Sequence, residues 1–171
     1  HLDNPNAWYD KLRKGTFNDQ LGVYLFSTSD GFYVSTESLN TPLVRCPNEP
    51  PISLMGCNVL EPVGKSQYLV GSFSGLFYWD LLTGEVTDYF TDQPYQAPKG
   101  MAKPVSDHMV AGYLKDSVGQ ARIYDYNSGL QLPSGMPAVA MPNQIKAASP
   151  ISLWNTALEI HTGRIFESFI G

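Results

Sequence analysis

Histidine and cysteine are the residues of this chain best suited to bind a metal or to act as nucleophiles, and both are scarce. His1, His108 and His161 lie 107 and 53 residues apart, so none has the i, i+4 spacing that places two imidazoles on one helix face around zinc. Cys46 and Cys57 are separated by 11 residues, which fits neither a C-x-x-C redox site nor a zinc ribbon. The sequence therefore predicts no metal site.

Two interpretations of the cysteine pair stay open. A disulfide between Cys46 and Cys57 would close a loop that contains Pro47, Pro50 and Pro51, and it would imply an oxidising compartment. Alternatively, both side chains are small hydrophobic groups buried in the core.

Two short segments look like parts of hydrolase active sites, but each lacks an essential residue. Residues Gly71 to Gly75 read GSFSG, and Phe73 stands where a nucleophile elbow needs its serine, so a hairpin turn is predicted. Asp107 and His108 could supply two members of a triad, but adjacent residues on a strand point to opposite faces, and no nucleophile is marked. No catalytic residue is therefore assigned, and no enzymatic activity is expected of this domain alone.

Composition favours a turn-rich β protein. The chain has 171 residues, of which 43% are apolar and 12% aromatic, which is enough to build a core. Thirteen prolines and 15 glycines without a fixed period argue for many turns and against long helices. Only 16% of residues are charged and the net charge is −5, so the chain has no basic field for a phosphate backbone and nucleic acid is not an expected partner.

The elements expected along the chain are a helix, a β region and a second helix. Residues 5–14 follow a capping Asn4 and Pro5 and end before Gly15, which is typical of a short helix. Residues 21–133 are short apolar runs separated by turn residues, as in strands. Residues 149–166 place apolar side chains on one helical face. These elements are expected to form one domain, 1–171.

An internal repeat organises the β region. Thr36, Asp80 and Asp125 align at steps of 44 and 45 residues, and each ends a unit of strand, turn, strand and polar turn. Asp80 and Asp125 are predicted to accept backbone N–H bonds in an Asx turn, which Gly84 and Gly129 would close with positive φ.

The middle unit, from Gly75 to Phe90, resembles the blades of the two-component-regulator type of β-propeller. The shared features are a Gly-Leu-aromatic stretch, an aromatic-Asp pair and a Thr-Gly turn. The predicted fold class is mainly β, with antiparallel sheets of propeller-like repeats and short flanking N- and C-terminal helices. Because closed propellers have about four to eight blades, three units favour a partial propeller or stacked sheets.

The many aromatic residues have two explanations. They could line a site for a sugar or an aromatic ligand, or they could form the core, which strand alternation favours. The residues concerned are Tyr24, Phe26, Phe32, Tyr33, Phe73, Phe77, Tyr78, Trp79, Tyr89 and Phe90.

The C-terminal segment carries a second resemblance. Leu153-Trp154 followed by Ala157 to Phe166 (ALEIHTGRIF) is similar to the juncture in PepSY-associated transmembrane proteins where the chain re-enters the bilayer. The resemblance implies an extracytoplasmic, periplasmic domain joined to the membrane by segments outside residues 1–171. The function it implies is non-catalytic binding of a protein or small-molecule ligand.

His161 has two alternative roles, and one of them is implied by this resemblance. Some relatives of the family take part in ferric-siderophore reduction and hold haem through histidines, and His161 matches the motif histidine. In that alternative the domain docks the substrate of a haem-dependent reductase, and haem binds only in the full-length protein, since no cofactor is expected in this domain itself. Otherwise His161 bonds the last carbonyls of its helix or a neighbouring carboxylate.

Overall fold

A computed structural model of the chain describes residues 11–39, 42–52, 56–96, 107–126, 128–132, 136–137, 142–148 and 157. The chain forms two compact units, His1–Ala138 and Val139–Gly171. The strands belong to the first unit. The described part of the second unit contains the helix α1, Asn143–Ala148, and the helical residue Ala157.

The described residues of the first unit form three antiparallel sheets of four strands, and the strands of each sheet follow one another in sequence. The first sheet consists of β1 (Leu12–Asn18), β2 (Val23–Thr28), β3 (Phe32–Thr36) and β4 (Val44–Arg45). The middle sheet consists of β5 (Val59–Pro62), β6 (Gln67–Ser72), β7 (Gly75–Asp80) and β8 (Val86–Asp88). The third sheet consists of β9 (Val110–Lys115), β10 (Ala121–Asp125), β11 (Leu130–Leu132) and β12 (Met136–Pro137). The expected mainly β, antiparallel fold is confirmed, while a propeller-like arrangement of the sheets stays a prediction.

The repeated units of the sequence are real strand pairs. They correspond to β2–β3, β6–β7 and β9–β10, whose second strands end at Thr36, Asp80 and Asp125. The third unit differs from the others because the strand register shifts between Tyr124 and Asp125. That unit is also the one whose sequence alignment needs a one-residue gap.

Two hydrophobic cores lie between consecutive sheets. The first core joins the first and middle sheets and consists of Leu25, Phe32, Cys46, Cys57, Leu60, Tyr68, Val70 and Trp79. The second core joins the middle and third sheets and consists of Val59, Leu69, Leu76, Val110 and Ile123. The middle sheet is therefore covered on both faces, which explains why Tyr68 to Phe73 and Leu76 to Trp79 are continuous apolar and aromatic runs.

The polar turns have the predicted structure. Oδ1 of Asp80 accepts the N–H groups of Leu82 and Thr83, at 2.9 and 3.0 Å, and the Gly84 N–H bonds back to the Asp80 carbonyl. Asp125 makes the corresponding bonds to Ser128 N–H and Gly129 N–H. The φ values of 74° at Gly84 and 65° at Gly129 confirm the expected left-handed closure.

The hairpin turn predicted for Gly71 to Gly75 is also confirmed. Ser72 at the end of β6 pairs with Gly75 at the start of β7, which leaves Phe73 and Ser74 as a two-residue loop.

The predicted N-terminal helix is wrong over its described residues. Of residues 5–14, those from 11 on are described, and Leu12 to Lys14 belong to β1, where side chains alternate between exposed and half-buried. Gly15, expected to end the helix, lies inside the strand opposite Phe26, and a Cβ at Gly15 would lie 3.3 Å from the Phe26 ring. Pairing with β2 has overridden the local helix signals. The β region therefore extends from residue 12 to 137 rather than from 21 to 133.

The predicted C-terminal helix, 149–166, lies outside the described residues except for Ala157, which is helical. His161 is likewise outside them. The helix α1 precedes this segment and was not predicted from the sequence.

Both cysteines are free thiols buried in the first core, with 4% of Cys46 and 7% of Cys57 exposed. Burial, reinforced by the negative charge of Glu49, raises the pKa of Cys46 to about 12. Burial also raises the pKa of Cys57. The structure therefore supports the second interpretation, in which Cys46 and Cys57 are small buried hydrophobic groups, and it contains no disulfide between them.

Thiol titration tests this state of the cysteines. In freshly isolated, unreduced protein at about pH 8, denaturant should reveal two reactive thiols, since unfolding returns each pKa to about 8.5. Without denaturant, an aromatic disulfide reagent should react with both at least about tenfold more slowly, because the attacking thiolate is scarce and covered. A reduced and desalted sample is the control. Fewer than two thiols in the denatured, unreduced sample would show that a disulfide forms.

Candidate ligand-binding site

A cleft of about 330 Å³ lies on the outer part of the middle sheet. Its described lining residues are Gln67, Tyr78, Trp79, Asp80, Glu85, Thr87 and Asp92. The register places Tyr78 between Leu69 and Thr87, on the same sheet face as Leu76. Leu69 and Leu76 pack in the second core, whereas Tyr78 is 41% exposed. The cleft therefore begins on this face where the second core ends.

Tyr78 is the aromatic residue that distinguishes this cleft. Its neighbours in β7, Phe77 and Trp79, are each 1% exposed because they point to the first core's side of the sheet. The Tyr78 ring is supported by Tyr89, with 5.4 Å between ring centroids. Burial, then Tyr89 and the charge of Asp92, raise the pKa of Tyr78, so the phenol stays protonated at neutral pH.

Three carboxylates line the cleft together with the tyrosine. Asp80 is fixed by the turn described above, and its Oδ2 accepts a hydrogen bond from Ser66 Oγ at 3.0 Å. These bonds, led by the one from the Thr83 N–H, lower the pKa of Asp80, so the group keeps its charge at neutral pH. In the described part of the chain, no hydrogen bond or ion pair involves the carboxylates of Glu85 and Asp92.

A row of aromatic rings leads away from the cleft. Tyr89 contacts Phe90 with centroids 5.4 Å apart, and Phe90 contacts the His108 imidazole at 4.2 Å. His108 Nδ1 lies 2.8 Å from Oδ2 of Asp125, whose side chain is 2% exposed. The sequence did not predict this pair.

The pair of His108 and Asp125 has a structural counterpart in the preceding unit. Asp80 occupies the position of Asp125, and Ser66, just before β6, bonds it as His108, just before β9, bonds Asp125. In both units the aspartate caps a turn with one oxygen and ties the incoming strand with the other. We therefore interpret the pair as a turn-stabilising contact. Asp107 and His108 precede β9, so the strand geometry expected for them is wrong.

A second cleft, also of about 330 Å³, lies between the β1–β2 and β5–β6 turns. The Asn18 side chain in this cleft already has hydrogen-bond partners, because its Nδ2 donates to the Lys65 carbonyl at 3.0 Å and to the Tyr68 hydroxyl at 2.8 Å. These bonds join the first and middle sheets. The polar groups of the second cleft therefore hold the first and middle sheets together. The Tyr78 cleft is the better candidate for ligand binding.

The expectation that most aromatic residues form the core is confirmed for Phe32, Phe77 and Trp79, which are at most 1% exposed. Tyr78 is the exception. The others are half-buried: Tyr24, Phe26, Tyr33, Phe73, Tyr89 and Phe90.

Comparisons with known proteins do not add to this picture: no protein family, curated protein or solved structure matches the chain. Within the residues that the structure describes, no three His, Cys, Asp or Glu side chains come together as metal ligands would. Those residues also contain no apolar helix of bilayer-spanning length. The function of the chain is therefore inferred from the geometry of the Tyr78 cleft and from the sequence resemblance.

Proposed function

We propose that this chain is a non-catalytic, extracytoplasmic binding domain of a membrane protein similar to the PepSY-associated family, with the Tyr78 cleft as its docking site. The observation that carries the proposal is the exposure of Tyr78 on a strand whose other aromatic residues are buried. An aromatic ring with polar groups around a cleft of about 330 Å³ is typical of small-ligand sites.

The membrane part of the proposal depends on the motif from Ala157 to Phe166. It requires the natural protein to continue past Gly171 into an apolar stretch of about 20 residues. The haem-dependent alternative depends on His161, which lies outside the described residues, so it stays a prediction of the resemblance alone.

A ligand panel on the 171-residue chain tests the binding role. The panel contains neutral sugars, amines, guanidinium compounds and carboxylates, and binding is followed by amide NMR shifts of β7 and β8. At least one compound should shift these resonances, and Tyr78→Ala should weaken its binding about tenfold or more, because a central aromatic residue carries much of a small site's energy.

Tyr126→Ala is the matched control, because Tyr126 is 43% exposed and, like Tyr78, contacts a neighbouring aromatic ring, that of Phe73. It should leave the affinity unchanged. If no compound perturbs the cleft, or if both tyrosine variants weaken binding equally, the Tyr78 cleft is not the docking site.

A further inference from the structure

The charge of the Tyr78 cleft restricts the ligands it can accept. Asp80, Glu85 and Asp92 contribute three carboxylates, and no lysine, arginine or histidine occurs among the described lining residues. Asp80 holds its charge through its turn hydrogen bonds. Glu85 and Asp92 have no hydrogen-bonding or charged partner for their carboxylates in the described structure. Among the described residues, the negative charge of the cleft thus has no positively charged partner.

The aromatic wall adds a second kind of attraction for positive charge. Cations bind to the face of a tyrosine ring, most strongly where water is partly excluded. Tyr78 meets this condition because it is partly buried and packed on Tyr89, yet it lines the cleft and 41% of the residue is exposed.

We infer that the Tyr78 cleft binds a small organic cation, an ammonium or guanidinium compound, with Glu85 and Asp92 as its charge partners and Tyr78 as its aromatic wall. This inference rests on the proposed function and names the ligand class of the same site. A neutral sugar could accept the aromatic contact and donate hydroxyls to the carboxylates. It would nevertheless leave the carboxylates without a charged partner, whereas a cation supplies one.

The experiment uses agmatine, which carries one guanidinium and one ammonium group on a four-carbon spacer, and 1,4-butanediol as its neutral counterpart. Agmatine should bind with NMR shifts centred on β7 and β8, and the diol should not. The double variant Glu85→Gln, Asp92→Asn should weaken agmatine binding about tenfold, since it removes two exposed charge partners at once. Raising the salt concentration from about 50 to 300 mM should weaken it further.

The variant Glu37→Gln is the matched control, because Glu37 is an exposed carboxylate outside the cleft. It should leave agmatine binding unchanged. Asp92 has a φ of 56°, a conformation that asparagine adopts readily, so the double variant should fold, which thermal melting verifies.

The outcomes separate the two proposals. Two results would overturn the cation inference and leave the binding role intact. One is that the double variant and the natural chain bind agmatine equally well. The other is that the cleft binds maltotriose but not agmatine. If no compound perturbs β7 and β8, both proposals fail.

Discussion

Replacing Trp79 with alanine is expected to lower the free energy of unfolding by about 3–5 kcal/mol, the range for emptying a buried aromatic site. Trp79 is 1% exposed and packs in the first core against Phe32, with ring centroids 5.0 Å apart. For a domain of this size the melting temperature should fall by roughly 6–20 °C. Urea denaturation and differential scanning calorimetry measure both quantities.

The adjacent residue is the control for this substitution. Tyr78 lies on the same strand but points to the opposite face and is 41% exposed. Tyr78→Ala should cost about 1 kcal/mol or less, because the residue is already 41% exposed in the folded chain. Similar losses for the two variants would contradict the placement of the first core.

Replacing Asp125 with alanine should cost about 2–3 kcal/mol, because it removes a buried side-chain acceptor that makes two hydrogen bonds. Asp125 bonds both Ser128 N–H and His108 Nδ1 from a side chain that is 2% exposed. Chemical denaturation of the two chains compares their free energies of unfolding.

Asp80→Ala is the matched comparison, since Asp80 has the same place in the preceding unit but is more exposed. It should cost less, about 1 kcal/mol, because water can replace the lost oxygens. His108→Ala should lower the free energy of unfolding by only part of the Asp125→Ala loss, namely the part that comes from the contact between His108 and Asp125. A larger loss for Asp80→Ala than for Asp125→Ala would contradict the assigned burial.

The fold was predictable where local chemistry decides it. Asp80 and Gly84 are four residues apart, and that spacing alone specifies an Asx turn closed by a left-handed residue. The N-terminal helix failed for the opposite reason. Gly15 has the sequence context of a helix stop, but the following strand, β2, supplies Phe26, whose ring packs over it. Nothing within residues 5–15 signals that pairing.

The candidate site was only partly predictable. Tyr78 was one of the ten aromatic residues singled out as candidates, and its exposure depends on strand register and on where the second core ends, which no local pattern records. The contact between His108 and Asp125 joins residues 17 positions apart. An antiparallel pairing of β9 with β10 brings them together, so the predicted strands contained a signal that could have found it.

The sharing of the two cores between consecutive sheets has a consequence for cooperativity. The first and third sheets each contribute to one core, whereas the middle sheet contributes to both. Interactions therefore run between nearest neighbours, as in a linear repeat array, and an end sheet can detach while the opposite core stays formed. The middle sheet has no such freedom, because its opening dissolves both cores at once. The strand that carries Tyr78 is thus the part of the molecule that local unfolding disturbs last, which keeps the cleft preorganised for its ligand.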